Sequence, residues 1–120
     1  MNSAISKATQ VVILSVSFLC STVVQAAYTC TAVPRGVSMG SGGTLVVEAL
    51  GGLNWVYLCN VETPHNGVSV AACKGLHASL LIAQSTGQPM TLWFENAAGT
   101  CAANAPWAFV PGLYFWRTGS

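Results

Sequence analysis

Charge is scarce in this sequence. Of 120 residues only four are Lys or Arg and three are Asp or Glu. All three acids are glutamate (Glu48, Glu62 and Glu95), and aspartate is absent. Nucleic-acid recognition needs a basic stripe, which this composition excludes. Without aspartate, neither His65 nor His77 has that partner to orient it for catalysis, and the three glutamates fall on separate predicted elements, so no carboxylate pair of the glycosidase kind is written into the spacing. No Cys-x-x-Cys occurs, which removes the usual ligand spacing of structural zinc. No catalytic constellation stands out, and the expectation is a non-catalytic chain with no cofactor and no metal.

A long apolar run is missing as well. Val11–Val24 is strongly apolar, but at about 14 residues it falls short of the roughly 20 that a spanning helix requires. It follows a polar start carrying Lys7 and ends in small residues around Gln25-Ala26-Ala27. That combination has the marks of a secretory signal peptide. The expected organisation is therefore a leader over residues 1–27 and one domain over residues 28–120, secreted or periplasmic, with no transmembrane segment in the mature chain.

Cys20 leaves with such a leader, and Cys30, Cys59, Cys73 and Cys101 remain. An even number of cysteines in a small exported chain reads as two disulfides with three connectivities open. Staples suit a domain too short to bury a large core. At 52% hydrophobic and 6% charged, the chain has more apolar side chains than a small domain hides, which points to self-association.

Thr29–Met39 reads as a first strand interrupted at Pro34-Arg35-Gly36. Thr44–Leu50 and Leu53–Val61 read as a hairpin around Gly51-Gly52, whose turn needs positive φ at both central positions. In the second of these strands Trp55, Tyr57 and Cys59 alternate with Asn54, Val56, Leu58 and Asn60. Ser69 is a good N-cap for a helix from Val70 to about Ser85, with Gly87 at the left-handed C-terminal position. Cys73, Leu76, Leu80 and Ala83 form its buried stripe, while Leu81 and Ile82 spill outside it and imply a second apolar contact. Gln88–Glu95 is a strand with Met90, Leu92 and Phe94 on one face and Thr91, Trp93 and Glu95 on the other. After a small-residue loop, Trp107–Phe109 is a short extended piece and Leu113–Arg117 the last strand.

The fold class is mainly β in the order β-β-β-α-β-β. That order matches the five-stranded Greek-key barrel called the OB-fold, with one helix and two disulfides. Another small sheet with one packed helix is the competing architecture. In this layout Cys59 ends the third strand and Cys73 lies in the helix's first turn, so bridging them ties helix to sheet. Cys30 is then left with Cys101.

The helix-to-strand join Gln84-Ser85-Thr86-Gly87-Gln88-Pro89-Met90 resembles the corresponding join in B subunits of AB-five toxins of the subtilase cytotoxin and typhoid toxin type, with pertussis toxin more distant. Those subunits also pair a cysteine at a strand end with one at the start of the helix. The resemblance covers Leu58–Glu95. It implies an OB-fold subunit, often a pentameric ring, that binds host-cell glycans and carries an enzymatic partner subunit. A sialic acid there sits near the aromatic end of the fourth strand, which falls on Phe94 beside Trp93, and near an early serine, for which Ser38 and Ser41 are the candidates. The relatives carry a tyrosine where this chain has Phe94, so a hydroxyl is missing.

The remaining functional lead is aromatic. Trp55, Tyr57, Trp93, Phe94, Trp107, Tyr114, Phe115 and Trp116 lie on or near predicted strands, and aromatic faces stack on the apolar faces of sugars. Trp55 and Phe94 read as core, and Trp93 and Trp116 as surface or interface. The expected function is a binding subunit for a cell-surface glycan or receptor, working as a homo-oligomer. The alternative is a structural or interaction protein of the bacterial envelope that shares only the fold.

Overall fold

The computed structural model describes residues 27–119 together with Ser15. The expected leader, residues 1–27, lies outside the described residues apart from Ser15 and Ala27, and so does Ser120. The elements are β1 (Ala27–Ala32), β2 (Arg35–Met39), β3 (Thr44–Leu50), β4 (Leu53–Asn60), α1 (Val70–Thr86), β5 (Met90–Glu95) and β6 (Leu113–Thr118), with a 3-10 turn at Cys101–Ala103 before β6.

The described chain is mainly β with one helix, as the element order predicts. It has six strands where five are expected, and they form two three-stranded sheets, β1-β5-β6 and β2-β3-β4, rather than one closed ladder. Pro34 is the reason. It has no N–H to give a ladder, so the predicted first strand divides at Val33-Pro34. β1 runs antiparallel to β5, with Cys30 opposite Leu92, and β2 runs antiparallel to β3, with Ser38 opposite Val46. One stretch of chain thus begins in one sheet and ends in the other.

Gly51 and Gly52 make the β3–β4 turn at φ 58° and 102°. The tip lies against β1, where a Cβ on Gly51 would come within 2.6 Å of the Thr31 nitrogen. Farther along, Leu45 pairs with Cys59 but Val46 with Tyr57, which leaves Leu58 as an extra residue. This bulge corrects the simple alternation: Leu58 and Cys59 are both buried, while Trp55 and Tyr57 stay on the outer face. The core lies between the sheets and α1. It is built from Leu45, Val47, Val56 and Leu58 of one sheet, Leu92, Phe94 and Leu113 of the other, and Leu76 and Leu80 of the helix.

Ser69 caps α1 by accepting from the Ala72 N–H at 3.1 Å, and Gly87 ends it in the left-handed region. The buried stripe is Cys73, Leu76, Leu80 and Ala83, as the periodicity predicts. Leu81 and Ile82 are 40% and 58% exposed. Near the helix end, Gln84 Oε1 accepts from the Val37 N–H at 2.9 Å, which occupies a donor on the open edge of β2. No helix among the described residues is long and apolar enough to cross a membrane.

Both disulfides have the pairing that the layout favours. Cys59–Cys73 joins the end of β4 to the first turn of α1, and Cys30–Cys101 joins β1 to the 3-10 turn, with Cα separations of 5.8 and 5.9 Å. Removing the 14-residue Cys59–Cys73 link as a Cys59→Ala/Cys73→Ala pair is expected to lower unfolding stability by about 3 kcal/mol in a denaturant titration. A loss under 1 kcal/mol would show that the loop is held without the bond.

Candidate functional site

β4 has a second neighbour besides β3. The run 107–110 lies alongside it in parallel, bridged at Tyr57 and Phe109. Trp107 N–H donates to Trp55 O at 2.7 Å, Tyr57 N–H to Ala108 O at 3.0 Å, and Val110 N–H to Tyr57 O at 3.1 Å. Parallel pairing brings alternate residues of both segments onto one outer face. The result is a strip of rings. Trp55 and Trp107 stack with centroids 5.0 Å apart and planes 17° from parallel. Tyr57 meets Trp107 and Phe109 edge-on at 6.5 and 5.5 Å, and His65 stacks on Phe109 at 5.3 Å. Trp107 is 59% exposed and offers the open end of this stack.

The backbone under the strip is strained. Among the described residues, the non-glycine residues with positive φ are Trp55 (49°), Asn66 (58°) and Trp107 (58°). A bulky residue in that region is a genuine outlier, costing on the order of 1–3 kcal/mol, and such strain gathers at functional sites. Here it falls on the two stacked tryptophans and on the asparagine that anchors the strip's other end. Asn66 Nδ2 donates to Leu58 O at 3.1 Å and to Val110 O at 2.6 Å, so one amide fastens β4 to the parallel run. The chain then turns at Gly112 (φ 83°), where any Cβ would collide with the Glu95 carbonyl.

Polar groups flank the rings across the sheet. Ser38 lies opposite Val46, and Val46 opposite Tyr57, so Ser38, Val46, Tyr57 and Phe109 form one row across the outer face. Glu48, between Val47 and Ala49 on β3, stands in the next row beside Trp55, and its side chain lies over Gly36, where a Cβ would clash with it.

The residues singled out from sequence do not come together. Trp93 is on the outer face of the other sheet, half-buried, edge-on to Phe115 at 5.0 Å and with the Arg117 guanidinium 5.9 Å from its ring centre. Phe94 has no exposed surface and stacks on Tyr28 inside the core, so its ring reaches no ligand. Ser38 is on β2 and Ser41 in the Gly40–Gly43 turn, both exposed and both at the sheet opposite to Trp93. Trp55 is not the core residue expected but lies partly buried on the outer face, stacked on the exposed Trp107, while Trp116 packs partly buried against the core. Trp107 and Phe109 carried only a weak signal, since a three-residue extended piece gives no period to read. Gly36-Val37-Ser38-Met39-Gly40 has the Gly-x-Ser-x-Gly spacing of a nucleophile elbow, which sequence reading overlooked. An elbow requires a strand-to-helix turn, whereas Ser38 lies within β2 and its Oγ donates to Gly36 O at 2.9 Å. Among the described residues no group of three His, Cys, Asp or Glu side chains is placed to hold a metal ion.

No family model matches the chain, and neither a curated protein nor a solved structure matches it. The strip therefore has to be read from its own geometry.

The strain makes a prediction about substitution at Trp107. Glycine adopts positive φ freely and alanine does not. Trp107→Gly is therefore expected to be more stable than Trp107→Ala by about 1 kcal/mol, the reverse of the usual order. Chemical denaturation of both variants reads this directly, and alanine equal or superior to glycine would refute the strain.

Proposed function

We propose that this chain is a non-catalytic exported binding protein that recognises cell-surface carbohydrate through the outer face of β4 and the 107–110 run. The observation that carries the reading is the open Trp107–Trp55 stack, held on backbone that strains both residues. Flat aromatic surface offered to solvent suits the apolar face of a sugar ring, and neighbouring hydroxyl, carboxylate and phenol groups suit its hydroxyls. Ser38, Glu48 and Tyr57 supply those groups.

The barrel reading belongs to the same proposal. β1 and β2 taken as one bent strand, and 107–110 with β6 as another, give five strands in the order of an OB-fold with 107–110 parallel to β4. The join Gln84–Met90 and the Cys59–Cys73 link support kinship with AB-five B subunits. On that reading the exposed Leu81 and Ile82 face another copy in a ring, and an enzymatic subunit is a further partner. A second reading, an envelope protein that holds another protein, is favoured by the exposed Tyr114 and Phe115 on β6.

A glycan array probed with the purified domain tests the choice. Signal on glycans is expected, and Trp107→Ala should weaken it roughly tenfold, since a stacking ring contributes about 1–1.5 kcal/mol. Trp93→Ala should leave it unchanged. Silence across the array from folded protein ends the carbohydrate reading, and equal binding by folded Trp107→Ala removes the strip as its site.

A further inference from the structure

We infer that the strip takes an uncharged, linear oligosaccharide lying along β4, not an acidic sugar held by its end. The inference rests on the carbohydrate reading above and names its ligand class.

Shape is the first argument. The rings succeed one another along the strand direction, from the Trp55–Trp107 pair through Tyr57 and Phe109 to His65. Two residues of strand advance about 6.6 Å, so Trp55 and Tyr57, like Trp107 and Phe109, repeat along an open face. A single sugar ring covers one rung of such a ladder, and the others are used only by a ligand that continues. Two clefts among the described residues lie elsewhere. A cleft of ≈ 370 Å³ is lined by Val33, Arg35, Leu50, Gly51 and Asn54 at the β3–β4 turn. Another of ≈ 370 Å³ is lined by Val68, Ser69, Tyr114 and Trp116 between α1 and β6.

Charge is the second argument. Glu48 stands in the row beside Trp55 with its carboxylate over Gly36, and Glu62 follows the end of β4 with its side chain over Gly43. The Lys and Arg residues among those described are on other elements. Arg35 lines the cleft at the β3–β4 turn, Lys74 is in the first turn of α1, and Arg117 sits over Trp93 on the other sheet. A sialylated, sulfated or uronic sugar on this face meets a carboxylate and no Lys or Arg, which costs affinity. A neutral sugar loses nothing, because its hydroxyls donate to Glu48 and its C–H face rests on Trp107. Strain adds the third argument: both tryptophans are held in place before any ligand arrives, the preorganisation that a flexible linear ligand needs to offset its own ordering.

Isothermal titration of the purified domain with neutral β-1,4-linked oligosaccharides, from mono- to hexasaccharide, tests this against sialyllactose and a sulfated disaccharide. Affinity is expected to rise with chain length and to be absent or at least tenfold weaker for the acidic sugars. His65→Ala, a change at an exposed loop residue, should bring the rise to a plateau at a shorter chain. Light scattering should give Trp107→Ala the same mass as the unaltered protein, and a proline-rich peptide should not displace the hexasaccharide. Preference for the acidic sugars, or affinity independent of length, overturns the inference and leaves the carbohydrate reading standing. A change of mass in Trp107→Ala, or displacement by the peptide, overturns it by giving the strip to a second copy or to a polypeptide. Failure of every sugar, neutral and acidic, overturns the carbohydrate reading and the inference with it.

Discussion

Three backbone hydrogen bonds, from Trp107 to Trp55 O, from Tyr57 to Ala108 O and from Val110 to Tyr57 O, set the geometry on which the exposed face depends. They give β4 a partner on its free side and fix the parallel register. Register decides everything that follows, because a shift of one residue would turn Trp107 and Phe109 inward and bring Ala108 out. The same bonds lie at the edge of the sheet that holds half the core, so the rings inherit the rigidity of Val56 and Leu58 beneath them. Packing and recognition are thereby linked through one strand whose two faces do different work.

Asparagine side chains hold the connections that the ladders leave open. Asn66 ties 107–110 to β4. Asn60 Oδ1 accepts from Glu62 and Thr63 N–H at 2.7 and 3.0 Å, while its Nδ2 donates to Gly42 O at 3.0 Å. Asn96 Oδ1 accepts from Ala98 N–H at 2.7 Å, while its Nδ2 donates to Pro111 O at 2.7 Å and to the Tyr28 hydroxyl at 2.5 Å. Each of these amides donates to a carbonyl. An aspartate accepts only, and would bring a buried charge against a carbonyl oxygen. This gives the missing aspartate a physical sense: at Asn60 and Asn96 the amide donates and accepts at once, and at Asn66 it donates to two carbonyls, none of which a carboxylate can do. Among the described residues, no buried side-chain nitrogen or oxygen is left without a partner.

Local signals were legible and long-range ones were not. The α1 caps at Ser69 and Gly87, its buried stripe, and the inward set Met90, Leu92 and Phe94 follow from spacing, because period and cap chemistry are properties of neighbouring residues. Both disulfide pairings followed once the elements were ordered. The strand count failed at Pro34, whose interruption was visible but whose consequence, a change of sheet, depends on β5 some sixty residues away. The bulge at Leu58 was invisible for a similar reason, since it lives in the pairing with β3 and not in β4 itself. Alternation alone assigns Trp55 to the core, as it does most aromatics in such a strand. Its place in the strip depends on Trp107, which a three-residue run could not reveal.

The covalent links and the strained strip are two sides of one balance. Positive φ at Trp55 and Trp107 costs on the order of 1–3 kcal/mol each, and less at Asn66, because asparagine tolerates that region. A domain of this size has a core that supplies only a modest margin. In the chain-entropy model the Cys59–Cys73 link contributes about 3 kcal/mol and the Cys30–Cys101 link, spanning 71 residues, roughly 4. Together these are of the same order as the strain. Their placement is also pertinent: Cys59 follows Leu58, whose carbonyl receives the Asn66 amide, and Cys101 lies a few residues before Trp107. Each disulfide thus fastens one of the two segments whose pairing makes the strip, β4 at one end and the approach to 107–110 at the other.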